Sequence, residues 1–182
     1  GKQGVPQAGR RLSGSSRRLP VTRRFGNLLG AIACAGMMAY ALFAQHGLGL
    51  EPCPLCILQR VAVIATGLLF LLAYFHNPGD LGAKVYGVLI DLAATAGILV
   101  AARQIWIIAQ PPGTVAECGA SLDYMMDVLP LQEVLVKVLA GSGECAKVDW
   151  MFLGLNMPTW VLICLAGLAG WGLAVNFFGR RA

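Results

Sequence analysis

The chain has 182 residues, of which 57% are apolar and 13% are charged, so charged residues are about half as frequent as in an ordinary soluble domain. A soluble globule of this size cannot bury so much apolar surface, and disordered chains are poor in apolar residues. The composition excludes both classes and predicts a membrane protein, whose net charge of +5 should follow its membrane topology.

The first segment of the chain is basic and rich in Gly and Ser. This composition favours disorder, and we expect residues 1–24 to form a cytoplasmic tail that anchors the topology. Residues 25–178 are predicted to form one membrane domain, and residues 179–182 a short cytoplasmic C-terminus.

Four later segments reach the length of about 20 mostly apolar residues that a membrane span requires. They are predicted at about residues 25–45, 56–75, 85–108 and 157–178. Aromatic residues near several of their ends fit the two membrane interfaces. The predicted fold class is therefore an all-α membrane protein, a four-transmembrane-helix bundle. Asp91, an acid inside the third span, is a candidate functional residue to which the sequence assigns no role.

The Lys and Arg residues near the span ends predict the orientation of the bundle. Of the 14 basic residues, ten precede the first span, lie between the second and third spans, or follow the fourth. That side is predicted to be cytoplasmic, so both termini lie inside and the loops at about residues 46–56 and 109–156 lie outside. The positive net charge then reflects topology, and no nucleic-acid binding is predicted.

The long outer loop contains a short amphipathic segment. Between Tyr124 and Leu139 apolar residues recur at helical spacing, with a break at Pro130. A helix of this kind can lie along the membrane surface as an interfacial helix, or it can pack against the bundle. Either position would restrain the loop, which also carries two cysteines.

The six cysteines divide by their position relative to the predicted spans. Cys34 and Cys164 fall within spans and are interpreted as small apolar residues. The other four lie in the outer loops or at their edge: Cys53, Cys56, Cys118 and Cys145. Because disulfides persist outside the cytoplasm, these four predict two bridges.

The spacing of the outer cysteines favours one pairing. A bridge between Cys53 and Cys56 would restrain little chain, so this Cys-x-x-Cys motif is interpreted as a redox disulfide, which leaves Cys118 to pair with Cys145. The second bridge can be structural or redox-active. A zinc site is the alternative for all four thiols, although the second pair lacks the short spacing of a zinc knuckle.

The position of Cys56 suggests a partner for electron transfer. Cys56 is predicted at the N-terminus of the second span, where free backbone N–H groups and the helix dipole stabilise a thiolate. Arg60 follows one turn later on the same face. A guanidinium would stabilise negative charge on a quinone oxygen, so the pair predicts electron transfer to a lipid-soluble quinone. Arg103, at the outer end of the third span, is predicted either to join this site or to anchor its helix.

Two longer motifs resemble those of a known family. They are EPCPLCILQR at residues 51–60 and GSGECAKVDWMFLGLNMPTW at residues 141–160. Together with Cys118 and the four spans, they resemble the DsbB family of bacterial inner-membrane disulfide bond formation proteins over about residues 25–178. Gln59 departs from this pattern, because some members carry an acid there.

The resemblance implies a relay of thiol–disulfide exchanges. Cys118 would form a mixed disulfide with a periplasmic DsbA-like oxidoreductase of thioredoxin fold, the implied partner. Cys145 would then attack Cys53, and Cys56 would pass the electrons to a bound quinone, either ubiquinone or menaquinone. The residues predicted to bind the quinone are Arg60, Met157, Trp150 and Arg103, the last of them added from its position alone.

Two alternatives remain open on the sequence alone. The first is an enzyme that resembles vitamin K epoxide reductase, another small helical bundle with a Cys-x-x-Cys motif and a quinone-type cofactor. In that family the motif lies in a late helix, whereas here it opens the second span. The second is a membrane scaffold or metal-handling protein, whose cysteines would be structural or metal-binding and would not reduce quinone.

Overall fold

The computed structural model describes residues 21–111, 122–140, 143–146, 148 and 150–181. Residues 1–20 of the predicted tail and Cys118 lie outside the described residues, so what is said of them stays a prediction. Within the described ranges the elements are α1 (Arg23–Gly47), α2 (Pro54–His76), α3 (Asp80–Ile108), α4 (Leu122–Val128), α5 (Leu131–Ala140), α6 (Gly143–Ala146), β1 (Met151–Phe152), β2 (Leu155–Asn156) and α7 (Met157–Phe178).

The helices α1, α2, α3 and α7 correspond to the four predicted spans. Each is long and apolar enough to cross a membrane, with a mean hydropathy of 1.7 to 2.2 over its most apolar window. No more than 33% of any such window is buried inside the protein, so most of this apolar surface faces outward, as lipid requires. The predicted all-α four-helix membrane bundle is confirmed.

Short polar signals set where these helices begin. The side chains of Thr22 and Asn156 cap α1 and α7, accepting hydrogen bonds from the backbone N–H groups of Phe25 and Thr159. The helix α3 begins at Asp80, ahead of its predicted apolar span, because an acid in the first turn is favoured by the helix dipole. The helices therefore extend slightly beyond the apolar segments.

Glycines allow close helix contacts in the bundle core. Phe70 and Leu165 are fully buried. A Cβ atom at Gly30 would lie 2.7 Å from the ring of Phe70, and one at Gly97 would lie 2.6 Å from the side chain of Leu165. Small residues at these positions let α1 pack closely on α2, and α3 on α7, as helix pairs in membranes require.

One end of the bundle brings the beginning of α1 and the end of α7 together. The backbone N–H of Arg23 donates to the carbonyl of Arg180 at 2.8 Å, and its guanidinium pairs with Asp80 at 2.6 Å. Asn27 and Asn176 exchange two hydrogen bonds between their buried side chains. The beginning of α1 and the end of α7 therefore lie at the same end of the bundle, and the loop between α1 and α2 lies at the opposite end.

The loop helices cover that second end. A break at Pro130 separates α4 from α5, as the sequence pattern predicts. Val134 and Val138 of α5 are buried in one cluster with Cys53 and Ile107, so α5 packs against the bundle. The opposite face of α5 keeps exposed apolar side chains. The restraint expected on the loop is thus provided by packing on the bundle end.

Candidate functional site

Cys53 and Cys56 form a close pair at the beginning of α2. Cys53 is the N-cap of the helix, and its sulfur accepts a hydrogen bond from the backbone N–H of Cys56 at 3.4 Å. Pro54 follows in the first turn, where the helix needs no N–H donor. The two sulfur atoms lie 3.0 Å apart. The local sequence therefore holds both sulfurs at the positive end of a helix dipole.

A buried amide contacts both sulfurs from a neighbouring helix. The Nε2 atom of Gln104, on α3, lies 3.4 Å from the Sγ of Cys53 and 3.4 Å from the Sγ of Cys56. The Oε1 atom of Gln104 accepts a hydrogen bond of 2.7 Å from Gln59. The sequence analysis missed Gln104. One signal could have found it: Gln104 is an amide within the third predicted span, and a buried amide in an apolar environment needs a hydrogen-bond partner.

Cys145, on α6, packs beside Cys53. Its side chain is 1% exposed and belongs to the same buried cluster as Cys53. Hydrogen bonding to the thiol of Cys145, then to that of Cys56, together with burial, raises the pKa of the Cys53 thiol above its usual range. The reduced Cys53 therefore keeps its proton at neutral pH. The structure brings together three of the four predicted redox cysteines, and Cys118 lies outside the described residues.

A cavity of about 360 Å³ opens beside Cys56, between α1, α2 and α7. This volume lies in the range of small-molecule sites, about 300–1,000 Å³. The lining is mostly apolar, and Cys56 and Arg60 are part of it. The cavity can therefore hold an apolar molecule that presents a polar atom to the guanidinium.

Two hydrogen bonds to α1 hold Arg60 at the cavity wall. Its Nη1 donates to the Oε1 of Gln45 at 2.5 Å, and its Nη2 donates to the carbonyl of Ala41 at 3.1 Å. A guanidinium has five N–H donors in a fixed plane. The two bonds orient that plane, which is what recognition of a ligand oxygen requires.

Trp150 and Met157 line the same cavity. Trp150 meets the ring of Tyr40 edge-on, with 6.0 Å between centroids, and stacks on Phe152 at 6.0 Å. The strands β1 and β2 pair antiparallel as a hairpin. Its turn at Leu153–Gly154 has φ values of 50° and 78°, as a tight two-residue turn requires. Trp150, just before this hairpin, thus supplies an aromatic wall to the cavity, and Met157 lines the cavity just after it.

Arg103 is not among the described residues that line the cavity. Its Nε donates to the carbonyl of Leu139 at 2.9 Å and its Nη2 to that of Ala140 at 3.2 Å, while its guanidinium lies 4.3 Å from the ring centroid of Trp106. A cation is favourable at these last carbonyls of α5. The geometry favours an anchoring role for Arg103, because two of its donors bond the carbonyls at the end of α5.

Replacing Arg103 by methionine is expected to loosen α5. The lost hydrogen bonds hold a partly exposed helix end and contribute about 1 kcal/mol, so amide hydrogen exchange in α5 should rise about fivefold. Exchange in α7 should stay unchanged, because the hydrogen bonds of Arg103 go to the end of α5. Hydrogen–deuterium exchange with mass spectrometry measures both helices in one sample, and equal exchange of α5 in the two proteins would refute the anchoring role.

Of the three remaining residues, Cys34 and Asp91 lie apart from this arrangement, and Cys164 lines the cavity. Cys34 is buried in the bundle core, as expected of a small apolar residue. Cys164 lies on α7 at the cavity lining, which the sequence analysis did not foresee. Asp91 is half-buried on α3, about 20 Å along the helix from Gln104. The structure thus places Asp91 far from the cysteines and, like the sequence, assigns it no role.

The site as a whole is a short series of reactive groups. Cys145 packs beside Cys53, and the cavity with Arg60 opens beside Cys56. Cysteines in contact can undergo thiol–disulfide exchange, and a cavity beside one of them can hold an apolar electron acceptor. The arrangement can therefore pass electrons from Cys145 on α6 toward the cavity.

Comparisons with known proteins point to one family. The sequence model of one family, described as disulfide bond formation protein DsbB, matches residues 23–175. The chain is 54% identical to disulfide bond formation protein B of Chromobacterium violaceum over 163 residues, which cover 90% of this chain and 97% of the relative. It is 49% identical to the protein of that name from Methylobacillus flagellatus, over 85% of this chain and 93% of the relative. The relative from Methylococcus capsulatus is also 49% identical, over 80% of this chain and 89% of its own length.

Proposed function

Because the chain belongs to the DsbB family of disulfide bond formation proteins, we propose that it is a protein-dithiol:quinone oxidoreductase that reoxidises a DsbA-like partner. Membership of this family and the four long apolar helices make the chain a multi-pass membrane protein of disulfide bond formation. One observation supports the proposed reaction with quinone and a partner protein. Cys53 packs in one cluster with Cys145, and its neighbour Cys56 lines an apolar cavity that contains Arg60.

The first exchange uses the outer-loop pair. A thiolate of the partner attacks Cys118 in the Cys118–Cys145 disulfide, forms a mixed disulfide, and releases Cys145 as a thiolate. The second thiolate of the partner then attacks the mixed disulfide, so the partner leaves with a disulfide and Cys118 becomes a thiolate. Two electrons have passed from the partner to the loop pair.

The second exchange passes these electrons to the inner pair. The thiolate of Cys145 attacks Cys53 in the Cys53–Cys56 disulfide, and Cys56 leaves as a thiolate. Cys118 then attacks Cys145, which restores the loop disulfide and releases Cys53. The burial of Cys145 beside Cys53 supports this step, and the raised pKa of Cys53 fits a sulfur that is attacked and then takes up a proton.

The cavity beside Cys56 fits a quinone. A quinone ring is apolar and carries two oxygens, and the cavity combines an apolar lining with the oriented guanidinium of Arg60. When bound, a quinone supplies an acceptor for two electrons and two protons. The residues that would hold it are Arg60, Met157 and Trp150. Closure of the Cys53–Cys56 disulfide releases those electrons and protons and returns the pair to its starting state.

The proposed orientation places the cysteine end of the bundle in the periplasm and both termini in the cytoplasm, across the bacterial inner membrane. The distribution of the 14 basic residues supports it through the positive-inside rule. The contact between Arg23 and Arg180 agrees with two chain ends on one side. Disulfides also persist in the periplasm, where the loop pair would meet its partner.

A single-turnover experiment tests the proposal. The purified chain is fully reduced, freed of reductant and mixed anaerobically with a soluble quinone whose absorbance is followed. We expect one quinol to form for each cysteine pair, with the Cys118→Ser variant stopping after one per chain. If the wild-type chain forms no quinol, the proposed function is wrong.

Replacing Arg60 by methionine is expected to weaken the reaction with quinone. A hydrogen bond from a charged group contributes about 1.5–3 kcal/mol, so kcat/KM for quinone should fall roughly tenfold to hundredfold. The Arg60→Lys variant keeps the cation and should recover part of the loss. Steady-state kinetics at varied quinone concentration measure the change, and an unaltered kcat/KM in Arg60→Met would exclude Arg60 from the quinone site.

A further inference from the structure

The contacts of Gln104 with the inner cysteine pair have no counterpart in the relay described above. Gln104 and Gln59 are each 4% exposed, on different helices within the apolar bundle. The amide nitrogen of Gln104 lies 3.4 Å from each of the two sulfurs. Polar groups so deeply buried are costly unless they are hydrogen-bonded, which makes their contact with reactive atoms informative.

Gln59 determines which end of the Gln104 amide faces the sulfurs. The Nε2 of Gln59 donates to the Oε1 of Gln104 at 2.7 Å, the shortest contact in the group. The Oε1 of Gln104 is also 3.6 Å from the Sγ of Cys56, which is farther than the nitrogen. With its oxygen held by Gln59, Gln104 presents its two N–H donors to Cys53 and Cys56.

We propose that Gln104 is a catalytic residue that stabilises negative charge on the sulfurs of the inner pair, and that Gln59 is the positioning residue that holds its amide in the donating orientation. The proposal rests on the proposed function, because it takes Cys53 and Cys56 as the reacting pair. The proposal adds the amide of Gln104, a hydrogen-bond donor, to the cysteines and Arg60 that the proposed relay already uses.

The chemistry of exchange explains why such a donor is useful. When Cys145 attacks Cys53, the bond between Cys53 and Cys56 breaks and its electron pair goes to the sulfur of Cys56. The resulting thiolate is buried at the beginning of α2, where a hydrogen bond is stronger than in water. Gln104 stabilises it without adding a charge that the apolar surroundings would disfavour. The same donor lies in reach of Cys53 when that sulfur leaves Cys145.

Alkylation of Cys56 tests the proposal without quinone. The full chain in detergent is reduced and pulsed with iodoacetamide at neutral pH, and modification of Cys56 is counted by mass spectrometry. In Gln104→Met, which keeps the side-chain length but lacks the donor, we expect alkylation about tenfold slower, the effect of one hydrogen bond to a charged group. Gln59→Met should slow it less, because Gln104 remains but is no longer oriented.

Gln110→Met is the matched control. Gln110 lies just beyond the end of the same helix and bonds to the carbonyl of Trp106, away from the sulfurs, so alkylation of Cys56 should be unchanged. Repeating the pulse at alkaline pH separates lost thiolate from lost access. The deficit of Gln104→Met should shrink there if thiolate was lost, whereas a deficit of the same size at every pH would overturn the proposal.

An equal alkylation rate in wild type and a folded Gln104→Met would also overturn the proposal. If Gln104→Met fails to fold, Gln104→Asn carries the test, because its shorter side chain keeps the amide but withdraws the donor from the sulfurs. The assay needs neither quinone nor partner protein. A wild-type chain that cannot reduce quinone would therefore sink the proposed function, and the alkylation rates would still decide the role of Gln104.

Discussion

Serine in place of Cys56 is expected to leave the protein unable to reduce quinone, with a rate loss of at least about a thousandfold. Cys56 is the only one of the described redox cysteines that lines the cavity with Arg60. Without its sulfur, the close pair of sulfurs 3.0 Å apart is lost, and the disulfide beside the cavity cannot close. The two electrons that arrive at the inner pair then have no route to an acceptor in the cavity.

The measurement is the loss of quinone absorbance after the reduced chain and a soluble quinone are mixed without oxygen. Cys34→Ala is the matched control, because Cys34 is a buried cysteine of the bundle core and takes no part in the relay. It should reduce quinone at the wild-type rate. Undiminished reduction by Cys56→Ser would show that the electrons leave through a different group.

The Cys118→Ser variant is expected to lose oxidation of the partner protein, again by at least about a thousandfold, while its inner pair still forms a disulfide. In the proposed relay Cys118 is the sulfur that the partner attacks, and serine cannot form the mixed disulfide. Cys53 and Cys56 remain in contact at the beginning of α2, and quinone can still oxidise them. The variant thus separates the two halves of the relay.

Thiol labelling measures both halves in one sample. After incubation with quinone in air, Cys53 and Cys56 of Cys118→Ser should resist a thiol reagent until a reductant is added, as in wild type. The partner protein should remain reduced in the same mixture. Free Cys53 and Cys56 under these conditions would contradict the independence of the inner pair, and oxidised partner would contradict the role of Cys118.

The spans were predictable because each is apolar along its whole length, and the hydrophobic effect acts on that composition. The residues at which the helices begin and end were less predictable. The helix α3 begins at Asp80, where the helix dipole and the contact with Arg23 extend it beyond the apolar segment. A hydropathy window does not register these polar turns, because they lie at the membrane edge.

Part of the site was predictable for a local reason. Cys53, Cys56 and Arg60 are close in sequence, so the helical period alone places Cys56 and Arg60 on one face. Cys145 reaches Cys53 through the packing of the loop on the bundle. The motif resemblance implied that approach, but spacing along the chain did not.

The partners of Arg103 and Gln104 could not be predicted from the sequence. Adjacent helix residues point about 100° apart, so the two side chains reach different partners. Arg103 contacts the end of α5, and Gln104 contacts the sulfurs. The sequence analysis named only the charged neighbour, either as part of the site or as an anchor of its helix, because a guanidinium suits a quinone oxygen. Only the packing of α3 against α2 decides which of the two faces the cysteines.

The most direct measurement is an anaerobic count of quinol against partner disulfides. The purified full chain is mixed with a reduced periplasmic thioredoxin-fold oxidoreductase and a soluble ubiquinone analogue, and both products are counted over many turnovers. The relay predicts one quinol for each partner disulfide in the wild type, and neither product in Cys56→Ser beyond a first turnover. Partner disulfides that accumulate without quinol, or quinol that forms without them, would contradict it.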